Sequence, residues 1–428
     1  MENILVRGGK ALSGVVEIGG SKNDALAILV GAILVPGVSV LHNIPANTDI
    51  LNLLNIFRQM GVRAHFATPT TLELDASALS TSETPHDLVR QMRASFNLLG
   101  ALMARFGHAE VAMPGGCNIG ARPVNFHIEG LRQLGGEFTL EHGVYYGRVD
   151  RFLGANINLE FPSAGTTQHL MIAATLAMGT TTIENCAAEP EVINLAEFLN
   201  ACGAKIRGAG TPIIEIEGVK TLRPTEFAIL PDRMQAGTYA IASAISGGDV
   251  FLKRAVYEHC RPLFSKMLDA GIQIDAETEG VRVRRSANTI QPIDFKTMPH
   301  PGFPTDMQPI LATMLTIGDG TSVITETIYE NRFRYTMELA KMGADIRISG
   351  RNAIITGVKR LSGAPVVSPD LRGGAALVIA GLIAEGVTEV SDLRHIDRGY
   401  ENLVLNLQNL GADIKRLPVK EGSKPCSV

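Results

Sequence analysis

Lys341-Met342-Gly343-Ala344-Asp345-Ile346 and Asn409-Leu410-Gly411-Ala412-Asp413-Ile414 are one phrase written twice, 68 residues apart. Each reads as the apolar end of a helix, a glycine, and the start of a strand. Glycine just past a helix suits the left-handed C-cap position, where a side chain would clash. Outward from these two copies the phrase returns as Gln59-Met60-Gly61-Val62, Gln133-Leu134-Gly135-Gly136, Ala201-Cys202-Gly203-Ala204 and Asp269-Ala270-Gly271-Ile272. Successive glycines lie 74, 68, 68, 72 and 68 residues apart. Such even spacing at six places marks an internal repeat.

Each unit follows one plan. A strand and a polar turn lead into a helix rich in Ala, Leu and Ile. A glycine turn and a strand follow, over Val38–His42, Thr180–Glu184, Asp249–Leu252, Thr321–Thr325 and Val387–Ser391. Next comes an amphipathic helix ending in the glycine phrase, then a strand pair. The first helices, such as Ala25–Leu34 and Ala375–Ile383, are apolar all round, which places them centrally. In the fifth unit Phe333, Met337, Ala340 and Met342 are read as one apolar face lying on a sheet. Apolar helices inside and strands outside predict an α/β fold of two inside-out α/β barrel domains, with three repeats per domain and a cleft between them. The expected boundaries are 20–230 for one domain and 1–19 plus 231–428 for the other. The first strand, read as Ile4–Ile18, has no unit of its own and is expected to complete the second half.

Composition supports a large folded core. The chain has 428 residues, 45% of them hydrophobic and only 19% charged, which excludes wholesale disorder. With no Trp and 7 Tyr it lacks the aromatics of a base-stacking platform, and a net charge of −4 gives no basic nucleic-acid or membrane footprint. An anionic ligand must therefore be met by individually placed Lys and Arg. Five widely spaced cysteines without a CxxC pair imply a reducing compartment, no disulfide framework and no structural zinc. No secretory signal is read in Met1–Arg7, and Pro36-Gly37 interrupts the most apolar stretch before it could span a bilayer. The expectation is a cytoplasmic protein without a membrane or nucleic-acid partner, a monomer or weak homo-oligomer.

The distinctive polar residues gather where the buried helices begin. They read Gly20-Ser21-Lys22-Asn23-Asp24, Gln91-Met92-Arg93-Ala94-Ser95 and Phe161-Pro162-Ser163 in the first half. In the second they read Leu230-Pro231-Asp232-Arg233, Phe303-Pro304-Thr305-Asp306 and Ser368-Pro369-Asp370-Leu371-Arg372. Ser and Asp are good N-caps, and capping alone would account for Ser163 or Asp232. Lys22, Arg93 and Arg372 are cations at the electrostatically wrong helix end, which makes sense if an anion sits between them and the helix N–H groups. Asp24 is expected to add negative charge beside this trap. A second constellation is Met113-Pro114-Gly115-Gly116-Cys117-Asn118-Ile119-Gly120-Ala121-Arg122-Pro123. Its glycines allow close approach to a ligand, and Arg122 can lower the Cys117 thiol pKa or hold an anion. Cys186, Cys202 and Cys260 lie in apolar segments and read as small buried hydrophobes. A third cluster, His395-Ile396-Asp397-Arg398-Gly399-Tyr400-Glu401, has a repeat partner in Tyr329-Glu330-Asn331-Arg332-Phe333. Arg398 there is a plausible bidentate clamp for phosphate or carboxylate. His395 has no third ligand at a suitable spacing, so no metal site is expected.

Across these motifs the whole chain resembles the enolpyruvyl transferases, and the cysteine loop resembles the branch of that family acting on UDP-N-acetylglucosamine. The resemblance implies an active site in the cleft. It also implies transfer of an enolpyruvyl group from phosphoenolpyruvate to the 3-hydroxyl of UDP-N-acetylglucosamine, with release of phosphate and no cofactor. It assigns Lys22, Arg122 and Arg398 to phosphoenolpyruvate, with Arg372 in support, and Asn23 and Asp306 to the sugar. It assigns Arg93, Arg122, Pro123, Val124, Asn125, Phe126, Ser163, Ile328 and Arg332 to the substrate walls. Cys117 would protonate or add to phosphoenolpyruvate, making it the point of attack of fosfomycin, and Asp306 would accept the hydroxyl proton. Asn125 stands where the family usually carries Asp, which leaves a related nucleotide or sugar acceptor as the alternative.

Overall fold

The computed structural model describes residues 2–115, 119–120, 124–285 and 289–418. Cys117, Arg122 and Pro123 lie outside the described residues.

All six repeat glycines occupy the left-handed region, with φ between 86° at Gly271 and 104° at Gly203. The repeat therefore becomes six separate sheets, five of four strands and one of three among the described residues. The third unit shows the plan. Asn156–Asn158 runs parallel to Thr180–Glu184, which pairs antiparallel with Ile213–Glu217, itself antiparallel to Lys205–Arg207. The second unit has only the antiparallel trio His108–Ala112, Val144–Arg148 and Glu137–Glu141, with a single parallel bridge from Glu83 to Glu110 at its open edge. The sheets stay apart, so neither half closes into one continuous hydrogen-bonded barrel among the described residues.

Inside the sheets lie the apolar helices. Lys22–Ala32, Leu98–Phe106 and Ala164–Ala174 pack on one another in the first half, and Arg233–Ser246, Gln308–Leu315 and Leu371–Gly381 do so in the second. Being apolar all round, they have no face to give to solvent, and the sheets that surround them are amphipathic. One hydrophobic core runs from Ala25 to Ile229. The other joins Ile4–Ile18 to Met234–Ile414.

Two readings of the sequence are corrected. The single strand expected over Ile4–Ile18 is two strands, because the chain turns at Gly8-Gly9-Lys10. Glu2–Arg7 lies between Val387–Ser391 and Asp413–Pro418, antiparallel to both, with Ile4 opposite Val390 and Arg416. Ser13–Glu17 runs parallel to Asp249–Lys253. In exchange, Glu226–Ala228, just before the second half's first helix, pairs with Val38–His42 of the first. The apolar face of the fifth unit's second helix is also rotated. Met337 is 74% exposed and Ala340 is exposed, while Phe333, Tyr335, Thr336, Leu339 and Met342 are buried. A 3₁₀ turn over Arg332–Arg334 precedes the α-helical part, Tyr335–Lys341, and its tighter winding shifts the phase of the buried residues.

Candidate functional site

The polar turns meet where the two cores face each other. Ser21 caps the Lys22–Ala32 helix, its hydroxyl accepting from the Asp24 N–H. Lys22 follows, nearly buried, and Asn23 beside it is exposed. At this helix end Lys22 meets a carboxylate of the protein itself. Lys22 Nζ donates to Asp49 Oδ2 at 3.1 Å, and Arg398 Nε donates to Asp49 Oδ1 at 2.8 Å, with Nη2 3.4 Å from Oδ2. Asp49 sits in the first turn of the Thr48–Gln59 helix, capped by Asn47, where the helix N-terminus also favours negative charge. Burial alone would raise its carboxyl, but the charges of Lys22 and Arg398 overcome that and hold it below the usual value. Arg398 comes from the other core, so Asp49 pins the cleft from both sides.

Asp306 forms the second centre. It lies in the 3₁₀ turn Thr305–Met307 with its side chain one-third exposed (32%). Arg332 Nη2 donates to Oδ1 at 2.8 Å and Arg372 Nε to Oδ2 at 3.1 Å. Burial pushes this carboxyl up, but Arg372, Arg332 and Lys22 together pull it well below the ordinary carboxylate range. Asp306 is thus held ionised, and Lys22 lies close enough to link the two centres electrostatically. Arg372, expected as an open anion ligand, is 2% exposed. Its helix is capped by Asp370, and its guanidinium lies over the Tyr400 ring at 5.3 Å. Arg332 is equally buried. It also donates to the Thr305 carbonyl at 3.1 Å and lies 3.7 Å from Asp370. Both arginines hold Asp306, each through one hydrogen bond, and Arg372 Nη1 is buried without a hydrogen-bond partner among the described residues.

The remaining expected residues divide. Ser163 caps the Ala164–Ala174 helix, accepting from Thr166, so the capping reading holds for it, as it does for Asp232 with Met234 and Gln235. Val124 is buried, while Asn125 is exposed at the start of the Asn125–Gln133 helix with Phe126 half-buried behind it. Arg93 opens a short 3₁₀ helix and is half-buried. The half-buried Ile328 lies in the segment leading to Asn331, whose N–H donates to the Ile119 carbonyl at 2.9 Å across the cleft. That bond joins the two halves directly. Arg233 forks onto Glu191 at 2.9 and 3.1 Å, a further tie between the cores.

Asp24 does not add charge beside Lys22. It is fully buried, with Oδ2 accepting from Asn194 at 2.6 Å and from the Leu230 N–H at 2.9 Å, and burial raises its carboxyl well above the usual value. It fastens the crossing strand to the first helix. Cys186, Cys202 and Cys260 are buried thiols pushed up to about 12 by desolvation, hence inert. Among the described residues no group of three or more His, Cys, Asp and Glu is placed to hold a metal, and no helix is long and apolar enough to cross a membrane.

Sequence reasoning missed Asp49 and Glu191. Both sit at helix starts, where an acidic residue reads as a dipole partner, and only tertiary contact distinguishes the two roles.

A sequence model described as EPSP synthase (3-phosphoshikimate 1-carboxyvinyltransferase) matches residues 6–407. A protein of Caldanaerobacter subterraneus subsp. tengcongensis named UDP-N-acetylglucosamine 1-carboxyvinyltransferase 3 is 48% identical, covering 97% of this chain and 100% of that one. One of Myxococcus xanthus named UDP-N-acetylglucosamine 1-carboxyvinyltransferase is also 48% identical, over 97% and 99%. Among solved structures, the enolpyruvyl transferase NikO from Streptomyces tendae superposes with a TM-score of 0.88 at 25% identity, covering 98% of this chain and 99% of that one.

Proposed function

Given that the chain belongs to the EPSP synthase family of enolpyruvyl transferases, we propose that it transfers the enolpyruvyl group of phosphoenolpyruvate to the 3-hydroxyl of UDP-N-acetylglucosamine, releasing phosphate. The observation that carries this reading is near-half identity, over essentially the full length, to relatives bearing that activity as their name. The two cores are taken as two domains, 20–230 and 1–19 plus 231–428, with the reaction in the cleft between them.

The chemistry is an addition followed by an elimination. The sugar O3 bonds to C2 of phosphoenolpyruvate while C3 gains a proton. A proton then leaves C3 and the C2–O bond to phosphate breaks. Lys22, Arg122 and Arg398 are assigned to the phosphate and carboxylate, and Cys117 to protonating C3 or adding covalently. Asp306 accepts the proton of the attacking hydroxyl, with Asn23 holding the sugar beside it. Its enforced ionisation supports this role, since a base must begin deprotonated. Arg332 and Arg372 aim the carboxylate, and the cations around it stabilise charge on the tetrahedral intermediate. Arg93, Pro123, Val124, Asn125, Phe126, Ser163 and Ile328 are assigned to the nucleotide-sugar walls. No step calls on a metal or redox group.

The test is phosphate release from phosphoenolpyruvate with UDP-N-acetylglucosamine, shikimate 3-phosphate or uridine nucleotides as acceptor, with and without fosfomycin. Turnover with UDP-N-acetylglucosamine alone, lost in Cys117→Ser and after fosfomycin treatment, is expected. Turnover only with another acceptor would overturn the reading.

A further inference from the structure

We propose that Glu326 is a positioning residue that couples closure of the cleft to the placement of Asp306; the inference rests on Asp306 being the base of the reaction above. Glu326 stands in Thr325-Glu326-Thr327, directly after the Thr321–Thr325 strand, and is 1% exposed. Its two carboxyl oxygens accept four hydrogen bonds from three separate pieces of chain. Oε1 accepts from Thr297 Oγ1 at 2.8 Å, from the Ile328 N–H at 2.8 Å and from the Tyr329 N–H at 3.1 Å. Oε2 accepts from Thr305 Oγ1 at 3.0 Å.

The three pieces have different duties. Thr297 follows the Phe295–Lys296 strand and anchors the carboxyl group to a sheet. Thr305 opens the turn that carries Asp306. Ile328 and Tyr329 begin the segment that crosses the cleft. Two residues on, the Asn331 N–H reaches the Ile119 carbonyl, and Glu330 lies against Gly120. Arg332 then returns to clasp the Thr305 carbonyl and Asp306 itself. The base turn and the closing segment are therefore joined twice, by Glu326 on one side and Arg332 on the other. Docking of 328–331 onto 119–120 cannot shift that segment without carrying Asp306 with it. A carboxyl group shared by backbone N–H groups and hydroxyls is a stiff coupler, because removing it leaves four donors without this partner, the Thr297 hydroxyl fully buried and the other three part-buried.

Glu326→Ala removes the coupler. Glu326→Gln retains an oxygen for Thr297, Ile328 and Tyr329 and offers an amide N–H to Thr305 Oγ1. In steady-state phosphate release, Glu326→Ala is expected to lower kcat about 100-fold, the scale of a misplaced reacting group. It should raise the KM for UDP-N-acetylglucosamine while leaving that for phosphoenolpyruvate within about 3-fold, and Glu326→Gln should stay within about 5-fold of the parent in kcat. Amide hydrogen exchange of the ligand-free chain should quicken at 305–307 and 328–329 together in Glu326→Ala. Thr305→Val cuts only the arm to the base turn and serves if Glu326→Ala fails to fold. It should lower kcat with exchange quickened at 305–307 alone. Parent-like kcat in Glu326→Ala, equal loss in Glu326→Gln, or exchange at the two segments that does not move together would overturn the proposal. An unsubstituted chain inactive on UDP-N-acetylglucosamine would refute the acceptor assignment instead, and the exchange measurement would still decide this one.

Discussion

Asp49 offers the sharpest test of the site, because the structure alone singles it out. Its side chain is 2% exposed, and its two cations, Lys22 and Arg398, are 11% and 18% exposed. At roughly 3 Å and an effective dielectric near 20, each pair carries a gross attraction of about 5 kcal/mol, much of it offset by desolvation. Removing one partner from a buried pair costs about 3–5 kcal/mol. Hydration of the cations at the cleft puts Asp49→Asn at the low end, about 3 kcal/mol, or roughly a hundredfold in an equilibrium constant. Lys22 and Asp49 belong to one core and Arg398 to the other, so the loss falls on the closed arrangement. The assay is thermal and urea unfolding in chloride and in phosphate buffer. Asp49→Asn should be the less stable in chloride. Phosphate should narrow the gap, since an anion can replace the missing carboxylate and ligand binding stabilises by about 2.7 kcal/mol at a hundred times its Kd. The sign with pH follows from a folded-state carboxyl held below its unfolded value. The contribution is complete above the unfolded pKa of about 3.9 and is lost as pH falls through the lower folded value. Equal stability of the two proteins in chloride, or equal stabilisation of both by phosphate, would refute the reasoning.

Five further outcomes are expected. Asp306→Asn should lower phosphate release about 10²–10⁴-fold. In the parent, kcat/KM should show no Asp306-dependent ionisation between pH 5 and 8, because Arg372, Arg332 and Lys22 outweigh burial and keep the carboxyl ionised; an acid limb in that range that vanishes in Asp306→Asn would contradict this. Asp24→Asn should raise stability at neutral pH in calorimetry, with the gain fading on acidification. A carboxyl raised by burial contributes stability below its unfolded pKa and loses it as pH rises toward the folded value, so a variant less stable than the parent at pH 7 would count against burial as the dominant influence on Asp24. Gly343→Ala should cost about 1–2 kcal/mol of stability with activity intact, since φ is 89° and an added Cβ meets nothing within 4 Å. Gly115→Ala should cost stability for a different reason: its Cβ would lie 2.0 Å from the Arg90 carbonyl oxygen, and the backbone there must shift, which a lowered melting temperature would register.

The repeat glycines carried most of the fold. A glycine whose φ must be positive leaves a mark that context cannot erase, and six marks at even spacing reveal the six units and their buried first helices. Helix phase was less legible. In the fifth unit, Met337 looked like part of the buried face because period alone cannot reveal a 3₁₀ turn ahead of the helix. Lys22, Asp306 and Arg398 stood out as ionisable groups at helix starts and turns, but what each one faces could not be read along the chain.

What the sequence determined by itself is local in cause: where helices stop, which are apolar all round, and which charged side chains sit at their starts. Tertiary structure alone decided the pairing of those charges. Arg372 and Arg332 both hold Asp306, Asp49 draws Lys22 and Arg398 together from opposite cores, and Asp24 turns inward to hold the strand crossing. The N-terminal strand was expected to complete the second half, and Ser13–Glu17 does so on Asp249–Lys253; the pairing of Glu226–Ala228 with Val38–His42 was settled in three dimensions. The physical reason is that propensity and capping act within a few residues. The partner of a buried charge or of an edge strand is set by which distant segment can desolvate and pair with it, as Arg398 does with Asp49, 349 residues away.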